Sequence, residues 1–216
     1  MKKFLLKKGQ KIYNQKYQTE RVIASNVLVK LVEASVLHEK ERRVVLKIWK
    51  KQVLRSRKEY HRKKDGHGMY STDELMKVRD SEVKAMLRLS EGNQSLSPNV
   101  VRLIEIIDDE GLEDKLVLVM EYCPGGQILN WNPETHQFSA NLESEHVDAD
   151  GNVTEDTIKA VIRQVAIGLQ FCHQKGVLHR DIKPQNILFG ADLQAKLIDF
   201  GVSKVLESSD SNGLCS

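Results

Sequence analysis

The chain contains few of the residues that mark specialised classes of protein. Its 216 residues include only 3 cysteines, 4 prolines and 6% aromatic residues. The cysteines are widely spaced, which excludes a disulfide framework and metal-ligand spacing, and predicts reduced thiols in a cytoplasmic protein. The longest apolar run near the middle, 116–120, is far shorter than the ~20 residues that span a bilayer. The N-terminus lacks the apolar core of a secretory signal. We therefore expect no membrane span.

Neither sign of charge dominates, because 33 Lys or Arg and 30 Asp or Glu leave a net charge of only +3. That excess is too small to indicate a nucleic-acid-binding protein. The charges are nevertheless segregated: twelve Lys or Arg lie in 40–64, and fourteen Asp or Glu lie in 103–160. The basic segment has three readings: a solvated surface, a docking insert for an acidic partner, and a calmodulin-target-like helix around Trp49. A nucleic-acid-binding function rests on this segment alone and predicts salt-dependent binding to duplex DNA.

Local patterns predict a first half rich in strands. Apolar and β-branched runs indicate strands at 27–32, 43–49, 101–107 and 115–120. We expect loops at 33–42 and at 50–70, where the sequence is polar and basic. A Ser71–Glu74 capping box predicts a helix whose apolar face includes Glu82.

The second half predicts one long helix and a short hairpin. Residues 131–152 are polar and aperiodic, so we expect a long loop. Thr154 is placed to cap a helix that Gly176 ends, with an apolar stripe from Ile158 to Cys172. Short strands are predicted at 186–189 and 195–198.

The most specific feature is the element His179-Arg-Asp-Ile-Lys-Pro-Gln-Asn186, followed thirteen residues later by Asp199-Phe-Gly201. The combination resembles the eukaryotic protein kinases of serine/threonine type. The resemblance implies phosphoryl transfer, which needs a positioned hydroxyl and neutralised phosphate charge. The resemblance implies an α+β, two-lobe kinase fold with a small β-rich N-lobe and an incomplete helical C-lobe. It also implies ATP and Mg²⁺ as cofactors and a protein substrate.

The resemblance assigns roles to individual residues. Asp181 would orient the substrate hydroxyl and accept its proton, and Lys183 would contact the transferring phosphate. Asn186 and Asp199 would supply oxygen ligands to Mg²⁺. Arg180 would pair with a phosphorylated residue of the activation segment, for which the candidates are Ser203, Ser208, Ser209 and Ser211.

The N-terminal half carries matching motifs. Val44-Val-Leu-Lys47 resembles the kinase strand whose lysine holds the α- and β-phosphates, and Glu82 would pair with Lys47. Met120 resembles the gatekeeper, and 121–123 the hinge that binds adenine through backbone groups. The residues that the resemblance assigns to adenine binding are Val29, Val45, Met120, Glu121, Cys123 and Leu188.

Two absences depart from the kinase pattern. No glycine lies between Gly9 and Gly66, so the loop at 23–29 lacks the glycines that close over phosphates. Only fifteen residues follow Gly201, which predicts a domain truncated after this motif. The apolar face of the helix after Thr154 would then be exposed. We expect little or no activity from the isolated chain.

The expected organisation has four parts. Residues 1–16 form a basic extension, 17–122 an N-lobe with the insert at about 50–70, 123–205 the hinge and partial C-lobe, and 206–216 a truncated activation segment. Finer motifs, such as 97–105 and Glu121-Tyr-Cys-Pro-Gly-Gly, resemble the calcium/calmodulin-dependent protein kinase kinases and related kinases upstream of the AMP-activated kinase. These motifs favour a signalling kinase that acts on other kinases. The alternative is a pseudokinase or non-catalytic binding module.

Overall fold

A computed structural model describes residues 10–27, 29–50, 60–62, 69–91, 97–109, 115–132, 134, 136–141, 146–150, 152–190 and 194–206. The chain divides into two compact units. The first comprises Met1–Lys77 and Leu103–Tyr122, and the second comprises Val78–Arg102 and Cys123–Ser216. Among the described helices, none combines the length and the apolar character needed to cross a membrane.

The first unit is built on an antiparallel sheet. Its strands are β1 Ile12–Tyr13, β2 Tyr17–Ser25, β3 Val29–Val36, β4 Glu39–Lys50, β5 Tyr60–Arg62, β6 Met69–Ser71, β7 Leu103–Asp109 and β8 Lys115–Glu121. Six of them form one sheet in the order β1-β2-β3-β4-β8-β7, while β5 and β6 pair separately. Because β1 pairs with β2, residues 12–13 belong to this sheet.

Successive side chains of β4 point to opposite faces of the sheet, and one of these faces packs into the core of the first unit. Val44, Leu46 and Ile48 are buried in one core cluster with side chains of β3 and β8. Burying such a side chain contributes roughly 1.5–3 kcal/mol. Val45, Lys47 and Trp49 alternate with them, so they lie on the opposite face of the strand. The residues expected to meet a nucleotide therefore share one face of β4.

The predicted loop at 33–42 is wrong. β3 continues to Val36 and β4 begins at Glu39, so only a two-residue turn separates them. The polar Glu33 is buried because its carboxylate pairs with Arg21 at 3.0 Å and Arg43 at 2.7 Å on the flanking strands. An ion pair across strands thus allows a polar residue within a strand, where the sequence pattern indicated a loop.

The predicted loop at 50–70 is also wrong where the structure describes it, because β5 and β6 form a hairpin there. The rest of this insert lies outside the described residues. Trp49 is buried in β4 at 2% exposure. A calmodulin-target helix around Trp49 is therefore wrong.

The hairpin between β2 and β3 closes without glycine. The backbone N–H of Asn26 donates to the carbonyl of Val29 at 2.9 Å. In return the Asn26 side-chain oxygen accepts from the Val29 N–H at 2.7 Å. Asparagine side chains commonly stabilise turns in this way. A fixed side chain therefore occupies the turn where the kinase pattern has glycines.

The second unit contains most of the helical structure. Helix α1, Thr72–Ser90, begins directly after Ser71, as the capping box predicted. Helix α2, Glu155–Gln174, has Thr154 as its N-cap, whose hydroxyl accepts from the Thr157 N–H at 3.4 Å. Gly176 follows the helix with φ +69°, a conformation that favours glycine. Both predicted ends of α2 are confirmed.

Short strands complete this unit: β9 Gly126–Gln127, β10 Leu129–Asn132, β11 Gln137–Ala140, β12 Val177–Leu178, β13 Ile187–Phe189, β14 Ala195–Leu197 and β15 Lys204–Val205. The predicted hairpin is confirmed as β13 and β14, and β9 adds a third strand beside β13. The predicted long loop at 131–152 is wrong, because β10 and β11 form a hairpin. Its signal is a short alternation of apolar and polar residues on each side of the turn.

The apolar stripe of α2 is only partly exposed. Val161 is 7% exposed and Cys172 is fully buried, while Val165 and Leu169 pack against the cluster around β13 and β14. Ile158 and Ile162, at 43% and 61% exposure, face outward. The expected exposure of this apolar face therefore holds for Ile158 and Ile162 alone among these residues, because the β13–β14 hairpin covers the rest of the stripe.

Gly168 lets α2 approach the segment around Asn99. A Cβ atom at Gly168 would lie 2.7 Å from the Asn99 carbonyl oxygen and 3.1 Å from Leu197 Cδ1. We expect Gly168→Ala to destabilise the fold by about 1–3 kcal/mol through overpacking. Helix propensity alone would have the opposite effect on the free energy of unfolding, because it favours alanine over glycine by about 1 kcal/mol. Urea unfolding would measure the change, with Ala166→Gly at an exposed helix position as the propensity control. A variant as stable as the wild type would contradict the close approach.

Candidate active site

A buried histidine holds the segment that follows β12. His179 is 1% exposed, and its Nε2 lies 2.9 Å from the carbonyl oxygen of Ile198. Its Nδ1 accepts from the Asp181 N–H at 3.3 Å. This pair of bonds requires a neutral ring with the proton on Nε2. Burial lowers the pKa of His179, which favours that neutral form. The imidazole therefore ties the Asp181 backbone to Ile198, the residue directly before Asp199.

Two predicted catalytic residues, Asp181 and Lys183, lie together with the predicted magnesium ligand Asn186 in the turn after His179. Lys183 Nζ lies 2.6 Å from Asp181 Oδ2. Asn186, in the 3₁₀ turn Pro184–Asn186, donates its amide to the Asp181 carbonyl and to Oδ2, both at 2.8 Å. The hydrogen bond from Lys183 lowers the pKa of Asp181, and the bond from Asn186 acts in the same direction. The Asp181 carboxylate is therefore ionised and fixed in orientation.

Asp199 is joined to this cluster through the backbone. The Ile198 N–H donates to the Asn186 carbonyl at 3.0 Å, which holds the two segments side by side. The Gly201 N–H donates to Asp199 Oδ1 at 3.4 Å. Asp199 has φ +62° and Arg180 has φ +65°, both unusual for residues other than glycine. Such backbone strain, about 1–3 kcal/mol each, is concentrated at functional sites.

The donor set fits a magnesium–nucleotide complex. Asn186 and Asp199 offer an amide and a carboxylate oxygen, which hard cations prefer. Within the described part of the chain, no cluster of three or more His, Cys, Asp or Glu could hold a metal ion. Mg²⁺ is usually held by one or two carboxylates together with phosphates and water. Asn186 and Asp199 could supply two protein ligands of this kind, with phosphates and water as the others.

The other predicted site residues are divided between the two units. In the first, the strand register pairs Val45 with Met120, Val44 with Glu121, and Lys47 with Leu31 and Leu118. In the second, Cys123 is buried and Leu188 pairs with Gln127 and Lys196. Val29 begins β3.

Glu82 lies on α1 at 2% exposure, beside the buried Met86 and Leu89 on the apolar face that the sequence predicted. A buried carboxylate requires a compensating partner. Its pairing with Lys47 would join residues of different units and stays a prediction.

The sequence model of the protein kinase domain matches residues 31–216. The chain belongs to the protein kinase domain family. The α+β, two-lobe kinase fold predicted from the sequence is thereby confirmed, with the sheet of the first unit corresponding to the β-rich lobe.

The chain is similar in sequence to three named serine/threonine kinases or kinase-activating kinases. A calcium and calcium/calmodulin-dependent serine/threonine-protein kinase of Pisum sativum is 33% identical over 164 residues, 69% of this chain and 27% of that protein. CBL-interacting serine/threonine-protein kinase 16 of Arabidopsis thaliana is 35% identical over 109 residues, which cover 50% of this chain and 19% of that protein. SNF1-activating kinase 1 of Saccharomyces cerevisiae is 37% identical over 114 residues, which cover 53% of this chain and 9% of that protein. The chain thus spans about a quarter or less of these relatives' length.

A basic cavity of about 500 Å³ lies beside Arg180 in the second unit of the kinase domain. Its lining residues include the basic side chains Lys84, Arg88, Arg180 and Lys204, and one acid, Glu91, whose carboxylate pairs with Arg88 at 3.2 Å. Arg180 also donates to the carbonyls of Val202 at 2.7 Å and Ser203 at 3.1 Å. Sequence reasoning missed Lys84 and Arg88. Their i, i+4 spacing on the exposed face of α1 is the signal that could have identified them.

Ser203 is unsuited to phosphorylation in this conformation. It is 2% exposed, and its hydroxyl donates to the Phe200 carbonyl at 2.7 Å. The prediction that Ser203 is a phosphorylation site is therefore wrong for the described state, because the hydroxyl caps a turn. Ser208, Ser209 and Ser211 lie outside the described residues.

Proposed function

We propose that the chain is the ATP-binding and catalytic part of a protein serine/threonine kinase. It would transfer the γ-phosphate of Mg-ATP to a protein hydroxyl. The observation that carries the proposal is the fixed cluster of Asp181, Lys183 and Asn186, with Asp199 held beside it by the bond from Ile198 to Asn186. Phosphoryl transfer depends mainly on positioning and on electrostatic stabilisation, which this cluster supplies.

Each residue of the cluster has one task in the proposed reaction. The ionised Asp181 orients the substrate hydroxyl and takes its proton as the phosphate bond forms. Lys183, with its ammonium 2.6 Å from Asp181, would contact the transferring phosphate and offset the charge that develops on it. Asn186 and Asp199 would hold Mg²⁺, which neutralises phosphate charge when it is bound with ATP.

The nucleotide would lie against the residues that the sequence assigned to it. Lys47 would bind the α- and β-phosphates and pair with Glu82. Val29, Val45 and Leu188 would enclose the adenine ring, while Met120, Glu121 and Cys123 would form the gatekeeper and hinge. The shared face of Val45 and Lys47 on β4, and the pairing of Val45 with Met120, support this arrangement.

The finer proposal is a cytoplasmic signalling kinase in the calcium/calmodulin-dependent protein kinase kinase group, with another kinase as its substrate. The similarity to the calcium/calmodulin-dependent enzyme of Pisum sativum and to SNF1-activating kinase 1 supports it. Two buried free thiols, Cys123 and Cys172, suit a reducing compartment. Arg180 and the basic cavity would receive a phosphorylated side chain of the activation segment. The basic insert at about 50–70 would bind an acidic partner.

The hairpin that closes on Asn26 favours a second candidate, a pseudokinase that binds partners without transferring phosphate. Without glycines this hairpin has less freedom to bring backbone N–H groups over phosphates. We expect residues 1–216 to turn over below the roughly 1–100 s⁻¹ usual for kinases. A pseudokinase would show no transfer at all, even over hours.

Magnesium-dependent ATP binding tests the proposed function. At about 100 times Kd, ATP with Mg²⁺ is expected to stabilise the chain by roughly 2.7 kcal/mol, which a thermal-shift titration detects. Asp199→Asn should lose the magnesium-dependent part of the shift. Asp156→Asn, whose side chain is 98% exposed in α2, is the matched control and should keep it. If the ATP-induced rise in melting temperature were the same with and without Mg²⁺, and the same in Asp199→Asn, the proposed metal site would be refuted.

A further inference from the structure

Lys47 and Trp49 form a contact on one face of β4. They are two residues apart in the strand, so their side chains point the same way. Lys47 Nζ lies 5.7 Å from the centroid of the Trp49 ring. Ammonium groups within about 6 Å of an aromatic centroid are attracted by the negative face of the ring, and indole binds cations more strongly than phenyl rings. The distance therefore fits a cation–π interaction.

The surroundings of the pair make this contact stronger than it would be at a surface. Trp49 is 2% exposed, and Lys47 is half-buried. The cross-strand neighbours of Lys47 are Leu31 and Leu118, and those of Trp49 are Val29 and Leu116. These aliphatic side chains flank the contact, so the buried ring and the half-buried ammonium group are both partly desolvated. A cation–π contact gains strength as its partners lose contact with water.

The indole ring contributes its face rather than its N–H group. Trp49 Nε1 is buried and finds no hydrogen-bond acceptor among the described residues. An unsatisfied buried donor destabilises a fold, and a phenylalanine would fill much of the space without one. What phenylalanine lacks is the stronger attraction of indole for an ammonium group. The contact with Lys47 thus accounts for a tryptophan at this position.

We propose that Trp49 is a positioning residue for Lys47. The ring confines the ammonium group to one place on the face of β4, and so prepares it to bind nucleotide phosphates. The inference rests on the proposed function of Lys47. The glycine-free hairpin closed by Asn26 gives the role more weight, because a phosphate site with less backbone support depends more on an ordered lysine.

A comparison of ATP with adenosine tests the proposal, because only ATP carries phosphates. Affinities are measured calorimetrically with Mg²⁺ for the wild-type chain, Trp49→Leu and Trp49→Phe. We expect Trp49→Leu to weaken ATP binding by about 3- to 30-fold, the range that a contact of about 0.7–2 kcal/mol predicts. Adenosine binding should stay unchanged. Trp49→Phe keeps an aromatic ring and should lose less. Equal losses for ATP and adenosine would show a merely structural role and overturn the proposal.

A second measurement needs no nucleotide. The chain has 2 tryptophans, so a Trp131→Phe background leaves Trp49 as the only source of indole fluorescence. In that background Lys47→Met is expected to shift the Trp49 emission. Lys50→Met is the matched control, because Lys50 is exposed and alternates to the other face of the same strand. If Lys47→Met left the Trp49 emission maximum unchanged, the contact would be overturned.

The two measurements separate the inference from the proposed function. If the wild-type chain binds neither ATP nor adenosine, the proposed function fails, while the emission test still decides the Lys47–Trp49 contact. If the wild-type chain binds ATP and Trp49→Leu binds it equally well, the positioning role fails and the proposed function stands.

Discussion

Replacing Asp181 by asparagine is expected to slow phosphoryl transfer by about 10²–10⁴-fold, the usual contribution of a general base. Asparagine keeps the size of the side chain and can still meet Lys183, but it cannot accept the hydroxyl proton. Single-turnover transfer from γ-labelled ATP, with the chain in excess over nucleotide, measures the rate even when turnover is slow. Asp156→Asn, exposed on α2, is the matched control and should transfer at the wild-type rate.

The same variant separates catalysis from binding. Asp181 is hydrogen-bonded to Lys183 and Asn186, whereas the proposed magnesium ligands are Asn186 and Asp199. Asp181→Asn should therefore keep the Mg-ATP thermal shift while it loses transfer. If Asp181→Asn transferred phosphate as fast as the wild type, Asp181 would not be the general base, and the proposed role of the cluster would be wrong.

Replacing Phe200 by alanine is expected to destabilise the fold by about 3–5 kcal/mol, a large part of the roughly 5–15 kcal/mol that holds a domain together. The ring is fully buried, and its centroid lies 4.7 Å from that of His179. Its loss would leave a cavity beneath the segment that carries Asp181. Urea unfolding would measure the change, with Val202→Ala, at a side chain 46% exposed two residues away, as the control.

The Phe200 control should remain within about 0.5 kcal/mol of the wild type, as substitutions at exposed positions usually do. Equal effects at Phe200 and Val202 would show that the packing of His179 against Phe200 contributes nothing to stability. Phe200→Leu, which keeps an apolar side chain, should lie between the alanine variant and the wild type.

Local signals in the sequence predicted the parts of the fold that depend on near neighbours. Thr154 caps α2 through its own hydroxyl, and Gly176 takes a positive φ, so both ends of that helix follow from adjacent residues. The position of Glu82 among apolar residues predicted its burial on α1, because helical spacing fixes a face. The cluster of Asp181, Lys183 and Asn186 was also predictable, since its members lie within one short turn.

Contacts between distant segments were not predictable in this way. The bond between His179 and Ile198 joins residues nineteen positions apart, and β12 pairs with β15 across a wider gap. Lys84 meets the cavity beside Arg180 only because α1 and the segment after Asp199 pack in the same unit. The sequence predicts a loop at Glu33 because the cations that pair with its carboxylate, Arg21 and Arg43, lie on other strands. Such pairings depend on the whole topology, which no local pattern contains.

The identity of the amino acid that receives the label tests the central claim most directly. After incubation of the chain with γ-labelled ATP, Mg²⁺ and a protein rich in serine, threonine and tyrosine, the product is hydrolysed and its phosphoamino acids are separated. The proposed function predicts slow, magnesium-dependent labelling of serine or threonine that Asp181→Asn abolishes. Labelling confined to tyrosine, or labelling that Asp181→Asn leaves unchanged, would contradict it.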